Sequence, residues 1–269
     1  RISYGSPKIS DVVFDKIAYR EKATVTFEGK YLDQKLTFDV PACSGLKEIG
    51  TVSLTKRVFE CKLVRPGSST VTVNNSVGTK IYQKEIVVPL AQTPMIQMVT
   101  TMGTVLIELD PVNAPNYVDE FLNDIESKLF ERKFFYSVSK DWSVVAGGMN
   151  PSLKMENVNE YPNNLLTGSI YFSYVLDSSN AIVSRSRRAL KRGDLWRLND
   201  HTPIKDFRFQ LGDSSYICET IFGRVISGLD VIDNISRVPV MNIDKEYVGR
   251  VVTDLPVKPV VILSMTRAQ

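Results

Sequence analysis

Apolar residues recur at every second position in five short runs of the first third of the chain: Ala23-Thr24-Val25-Thr26-Phe27, Leu36-Thr37-Phe38-Asp39-Val40, Arg57-Val58-Phe59-Glu60-Cys61, Thr70-Val71-Thr72-Val73 and Glu85-Ile86-Val87-Val88. A period of two sends successive side chains to opposite faces of a strand, so each run offers one face to a core and one to water. Gly29, Gly45, Gly50, Pro66-Gly67 and Gly78 punctuate the runs at the spacing of sandwich turns. The expected fold of residues 1–92 is an all-β sandwich. This part has no histidine, no paired carboxylates and no glycine-rich phosphate loop, which argues against catalysis here. Pro89-Leu90-Ala91-Gln92-Thr93-Pro94 reads as a linker, leaving residues 93–269 as a second domain.

The remaining bulk properties exclude more than they suggest. A formal net charge of +3 is too small to imply a nucleic-acid partner, and no apolar run reaches the ~18 residues of a membrane span. The chain opens at Arg1 rather than Met, as a processed or trimmed product does. Cys43 and Cys61 each sit at the edge of a β-like run of one domain. They read either as a disulfide joining two strands or as two unrelated buried thiols. The disulfide is the expectation, and it favours an oxidising compartment: periplasmic or secreted. Cys218, between Ile217 and Ile221, is expected to be a free, buried strand thiol. His201 is the single histidine and no cysteines cluster, so neither a metal nor a cofactor is expected.

The second domain opens with one strong helix signal. After Asn113-Ala114-Pro115, a capping residue and a first-turn proline, Val118, Phe121, Leu122, Ile125 and Leu129 form an apolar stripe. Asp119, Glu120, Asp124 and Glu126 are expected to face water. A second helix begins near Leu229 and carries Ile232 and Ile235. Strands are expected at 103–109, 133–138, 143–146, 168–174, 207–211 and 220–225. Pattern alone supports a β-rich domain with two helices.

Three segments carry more. Thr101-Met102-Gly103-Thr104-Val105-Leu106-Ile107-Glu108-Leu109, Asn113-Ala114-Pro115-Asn116-Tyr117-Val118-Asp119-Glu120-Phe121-Leu122 and Phe222-Gly223-Arg224-Val225-Ile226-Ser227-Gly228-Leu229-Asp230-Val231-Ile232 follow one another in the order and spacing of the cyclophilins. Pro256-Val257-Lys258-Pro259-Val260-Val261-Ile262-Leu263-Ser264 closes the domain as in the bacterial extracytoplasmic members. Residues 97–267 therefore resemble a cyclophilin-type peptidyl-prolyl cis-trans isomerase. The resemblance implies an antiparallel β-barrel capped by two helices. The first domain is more loosely similar to the small immunoglobulin-like modules of bacterial exported proteins.

The scaffold matches, and the chemistry does not. The prolyl amide has a rotation barrier near ~20 kcal/mol, and an isomerase lowers it by weakening amide resonance. In cyclophilins an arginine donates to the prolyl nitrogen, an apolar pocket holds the ring, and a glutamine holds the peptide, so positioning and electrostatics do the work. The arginine's motif, Phe-His-Arg-Val, reads Phe135-Tyr136-Ser137-Val138 here. Phe-Met-Ile-Gln-Gly-Gly becomes Ser143-Val144-Val145-Ala146-Gly147-Gly148, so the pocket phenylalanine is Ser143 and the glutamine is Ala146. The stretch that pairs with substrate backbone is matched by Phe172-Ser173-Tyr174. Phe-Phe-Ile-Asn is best matched by Phe207-Arg208-Phe209-Gln210, which puts Arg208 on the pocket floor; an alternative register uses Leu195-Trp196-Arg197-Leu198-Asn199. Glu219 stands for the family histidine. No residue is a confident catalyst, and Arg208 is the candidate substitute donor.

The stretch 177–206 is longer than the family's connection and holds Arg185, Arg187, Arg188, Lys191 and Arg192. It reads either as a surface for an anionic partner or as a solvated loop. Trp196 and Arg197 either extend such a patch or tuck the segment onto the barrel. Three functions follow: a peptide- or protein-binding, chaperone-like module with a degenerate isomerase site; an active isomerase; or an interaction protein working through residues 185–197.

Overall fold

The computed structural model describes residues 5–147, 188–197, 206–218, 221–243 and 252–268. The chain divides into two compact units, Arg1–Ala91 and Gln92–Gln269.

The first unit has seven strands: β1 (Lys8–Phe14), β2 (Lys22–Lys30), β3 (Thr37–Asp39), β4 (Cys43–Ile49), β5 (Lys56–Leu63), β6 (Gly67–Asn74) and β7 (Lys80–Val88). They form two antiparallel sheets, β1-β2-β5-β4 and β3-β6-β7. The inward residues Val25, Phe27, Phe59, Val71 and Val73 meet in one core. Phe38 bridges the sheets, its ring centroid 4.6 Å from Phe27 and 4.7 Å from Phe59. The sequence reading missed β1 and β4. Polar residues and Gly45 interrupt the alternation in β4, whose register slips between Ser44 and Lys47. Cys43 and Cys61 form a disulfide between adjacent strands of one sheet. Arg57, on an inward position, is satisfied rather than solvated. It donates to both oxygens of Glu48 (2.6 and 2.9 Å) and to the carbonyls of Leu32 and Gln34. A buried guanidinium is tolerated only with partners of this kind.

The second unit is built on an eight-stranded sheet. Its strands in chain order are β8 (Met95–Thr100), β9 (Gly103–Leu109), β10 (Phe135–Val138), β11 (Ser143–Gly147), β13 (Asp194–Trp196), β14 (Asp206–Gln210), β16 (Ile221–Ser227) and β19 (Ile262–Arg267). Two short pairs flank it: β12 (Arg188–Ala189) with β15 (Ile217–Cys218), and β17 (Val240–Ile243) with β18 (Val252–Pro256). The spatial order is β10-β11-β14-β13-β16-β9-β8-β19. The Phe135 amide donates to the Val260 carbonyl (3.0 Å), and Ile262 donates to Lys133 (2.8 Å). A bridge between Phe134 and Val261 joins them, so the last strand is tied back to the first and the sheet closes into a barrel.

Two helices cap it, α1 (Pro115–Glu126) and α2 (Leu229–Ser236). The stripe of α1 is where the spacing put it: Val118, Phe121, Leu122 and Ile125 are buried in the barrel core. Each such side chain contributes about 1.5–3 kcal/mol. Phe121 lies 5.1–5.4 Å from the rings of Phe130, Phe207 and Phe222. Two expectations fail here. Asn113 does not cap the helix; its amide is held by Asp110, and Ala114 is the N-cap. Asp119 and Asp124 are buried rather than solvated, because the barrel and its loops cover more of the helix than the apolar stripe. Gly223 has a packing reason: a Cβ there would meet the Glu108 carbonyl at 2.7 Å and Leu109 and Leu195 at 3.2 Å. The Phe-Gly pair thus seats one ring in the core and lets β9 and β13 approach β16.

Candidate functional site

Strands β10, β11, β14 and β13 lie side by side, so their outward residues become neighbours. On β14, Phe207 and Phe209 point into the barrel core, which leaves Asp206, Arg208 and Gln210 on the other face. On β11, Val144 and Ala146 belong to the core, while Ser143 and Val145 take the outer side. Arg208 is opposite Val145 on one neighbour and Trp196 on the other; Gln210 is opposite Ser143. Ser137 pairs with Val145, one strand further on. Ser137, Ser143 and Arg208 are thereby gathered on adjacent strands. Ala146, the position matched to the peptide-holding glutamine, is a core residue.

Arg208 is held from two sides. Its Nη2 lies 3.9 Å from Asp206 Oδ2, and its guanidinium carbon lies 5.4 Å from the Trp196 ring centroid. The same Asp206 oxygen accepts from the Tyr136 hydroxyl at 2.6 Å, and the Asp206 carbonyl accepts from Arg197 Nε at 2.8 Å. Asp206 is itself buried. The result is a chain of tyrosine, carboxylate and guanidinium laid over an indole. Among the described residues, Arg208 Nε is buried without a hydrogen-bond partner, as are Trp196 Nε1 and Gln210 Oε1. The donors and acceptor of this face are therefore only partly used within the chain.

Trp196 is packed under a small apolar cluster of Leu190, Cys218, Ile221 and Trp142. The rings of Trp142, Trp196 and Tyr216 lie 6.1–6.4 Å apart. Sequence reasoning missed Asp206, Asp194 and Trp142. The signal available for Asp206 was its two-residue spacing from Arg208, which places both on one face of any strand.

The basic segment resolves differently from a free cationic patch. Arg188 donates to both oxygens of buried Asp194 (2.8 and 2.9 Å), and Arg192 to both of Asp233 (2.7 and 2.6 Å). The hydrogen bond that Arg188 donates to Asp194 raises the Arg188 pKa, and the one from Arg192 holds the Asp233 carboxyl below its ordinary value. Trp196 and Arg197 are each 1% exposed, so they are not a contact patch. Residues 194–196 are a strand of the main sheet, and Arg197 stacks over Phe121 (5.7 Å) and Phe222 (5.3 Å). Packing as a sheet strand, rather than looping into water, is what removes them from the surface. Cys218 is buried and takes part in no disulfide. Phe172, Ser173, Tyr174, Arg185, Arg187, His201 and Glu219 lie outside the described residues.

A cavity of about 660 Å³ is lined by residues that include Met102, Val238, Pro239, Val257, Pro259 and Val260, with none of the groove candidates among its walls. Among the described residues no group of three or more His, Cys, Asp or Glu is arranged for a metal ion, and no helix is long and apolar enough to cross a membrane.

Comparison with known proteins gives one family. The family model described as cyclophilin type peptidyl-prolyl cis-trans isomerase/CLD matches residues 95–267. A peptidyl-prolyl cis-trans isomerase, cyp18, of Streptomyces antibioticus is 26% identical over 185 residues, covering 63% of this chain and 95% of that protein. One from Acinetobacter baylyi is 23% identical over 184 residues, covering 65% and 86%. The crystal structure of a Cryptosporidium parvum cyclophilin type isomerase superposes with a TM-score of 0.47 at 18% identity, over 66% of this chain and 99% of that one.

Proposed function

This chain belongs to the cyclophilin-type peptidyl-prolyl cis-trans isomerase family, and we propose that its second unit binds peptide or protein segments, chaperone-like, without efficient isomerase chemistry. The observation that carries this reading is Ser137 at the arginine's place in the motif. A serine hydroxyl is neutral and short, and a neutral donor is roughly half as strong as a charged one. Losing a donor aimed at a transition state costs roughly 10²–10³ in rate. Ser143 and Ala146 remove a pocket wall and the peptide-holding amide, and Arg208 makes the floor polar.

An active enzyme is the second reading, favoured by one feature: among the described residues, Arg208 keeps an unpartnered Nε on the same face as Ser137. The third, work through residues 185–197, is weakened by the pairing of Arg188 and Arg192 with this chain's own carboxylates. The first unit we assign as an immunoglobulin-like module. Its sheets, the first, second, fifth and fourth strands against the third, sixth and seventh, follow the constant-type order. A periplasmic or secreted location is proposed on the disulfide.

An isomerase assay on an Ala-Pro peptide separates the readings. We expect turnover at least about a hundredfold below that of an ordinary cyclophilin. Comparable turnover overturns the proposal, and its abolition by Arg208→Ala would establish the relocated donor. Cyclosporin should bind very weakly.

A further inference from the structure

Three segments of the second unit enclose the cavity of about 660 Å³. Thr101 and Met102 come from the β8–β9 turn, Val238 and Pro239 from the chain leaving α2, and Val257 to Val260 from the stretch between β18 and β19. Val260 is 2% exposed and forms the floor. Thr101, Pro239, Val257 and Lys258 are exposed and form the rim. The size is that of a small-molecule site, which spans about 300–1,000 Å³.

The walls are fixed to one another. The Thr101 amide donates to the Val261 carbonyl (3.0 Å), and the Val261 amide donates back to Thr101 Oγ1 (3.1 Å). The Val257 amide donates to the Pro239 carbonyl (2.9 Å), which joins the second wall to the third. Gly103 seats the turn on α2: a Cβ there would meet Val231 at 2.8 Å. Little reorganisation is therefore needed to take a ligand. The walls are also apolar in their backbone. The amides of Thr101, Met102, Val238 and Val257 donate within the chain, and Pro239 and Pro259 have no N–H. Lys258 is the exception. Among the described residues it is the one charged group of the lining, and it forms no ion pair or hydrogen bond with them.

We propose that this cavity binds a small amphiphile, an apolar body carrying a single carboxylate. The body lies against Met102, Val238 and Val260, and the carboxylate meets Lys258. One cation with no acid in the described lining complements one negative charge. A dianion would leave a charge unpaired beside apolar walls, and a cationic head would meet Lys258. None of the groove candidates lines the cavity, so the site stands whether or not the barrel isomerises prolyl bonds.

The test uses the whole chain with isotopically labelled methionine methyl groups, titrated with sodium octanoate below its micelle concentration and followed by NMR. A saturable shift of the Met102 methyl is expected, with the core methyls of Met98 and Met265 unmoved. Lys258→Met should weaken octanoate about threefold to fivefold, the worth of an exposed ion pair, and leave octanol binding unchanged. Lys140→Met, an exposed lysine outside the cavity lining, should change neither. Val257→Trp, which places an indole at the exposed rim, should abolish both. Unmoved Met98 and Met265 signals report that each variant is folded. Equal octanoate affinity in Lys258→Met and the parent, or octyltrimethylammonium binding as tightly as octanoate, overturns the carboxylate site. Shifts that never saturate, that spread to Met98 and Met265, or that persist in Val257→Trp overturn the cavity as a ligand site.

Discussion

At the scale of single residues, the site is defined by an exchange. A guanidinium is absent at Ser137 and present at Arg208, on strands separated only by β11. If the chemistry failed through these two positions, restoring them together should recover it. Ser137→Arg alone should do little, because the new charge would face Arg208 over a still-polar floor. The pair Ser137→Arg with Arg208→Phe should raise prolyl isomerase turnover by about tenfold or more, read with an Ala-Pro peptide. A single Ser137→Arg as active as the pair would show that Arg208 does not govern the groove. The identities at Ser137, Ser143 and Ala146 were legible from motif spacing alone. What holds Arg208 was not, because Asp206 and Tyr136 meet only once β10 and β14 flank β11.

Among elements, the periodic ones were readable and the irregular ones were not. The α1 stripe and β9 follow from apolar spacing, since burial on one face imposes that spacing. The three-residue β13 carries no period, and its cationic surroundings made it look like an exposed insertion. Yet Asp194, Leu195 and Trp196 are all buried, and Arg188 and Arg192 find carboxylates. Arg192 ties this segment to α2 through Asp233, with side-chain exposures of 41% and 22%. The Asp233 pKa is lowered by the Arg192 hydrogen bond. Its stabilising effect is therefore complete above the unfolded-state value, about 3.9, and is lost as pH falls through the lower, folded-state value. Solvent screening keeps it below about 1 kcal/mol. Asp233→Asn should lower the urea midpoint at neutral pH, and the gap from the parent should close as pH falls below the ordinary aspartate value, about 3.9. A gap that stays constant with pH would mean that the asparagine disturbs packing instead.

In the whole molecule, two units carry stability by different means. The sandwich adds a cross-link, Cys43–Cys61, closing an 18-residue separation. Replacing both cysteines by serine should cost the first unit about 3 kcal/mol in denaturant unfolding. Without reductant, thiol titration should find one group per chain, Cys218, reactive only after denaturation because it is buried. Three reactive thiols in protein from its native compartment would remove both the bridge and the argument for location. The barrel relies instead on closure by β19, which pairs with β8 and, through Val261, meets Phe134. A ribosome delivers those strands in the worst order for this geometry. The sandwich is complete once Val88 has emerged, but β8, paired at once with β9, must wait for almost all the rest of the second unit before its other neighbour, β19, exists. During that interval two open strand edges and the interior lining are available to other chains. The second unit is thus a folding client for most of its own synthesis, and it becomes independent only with its last few residues.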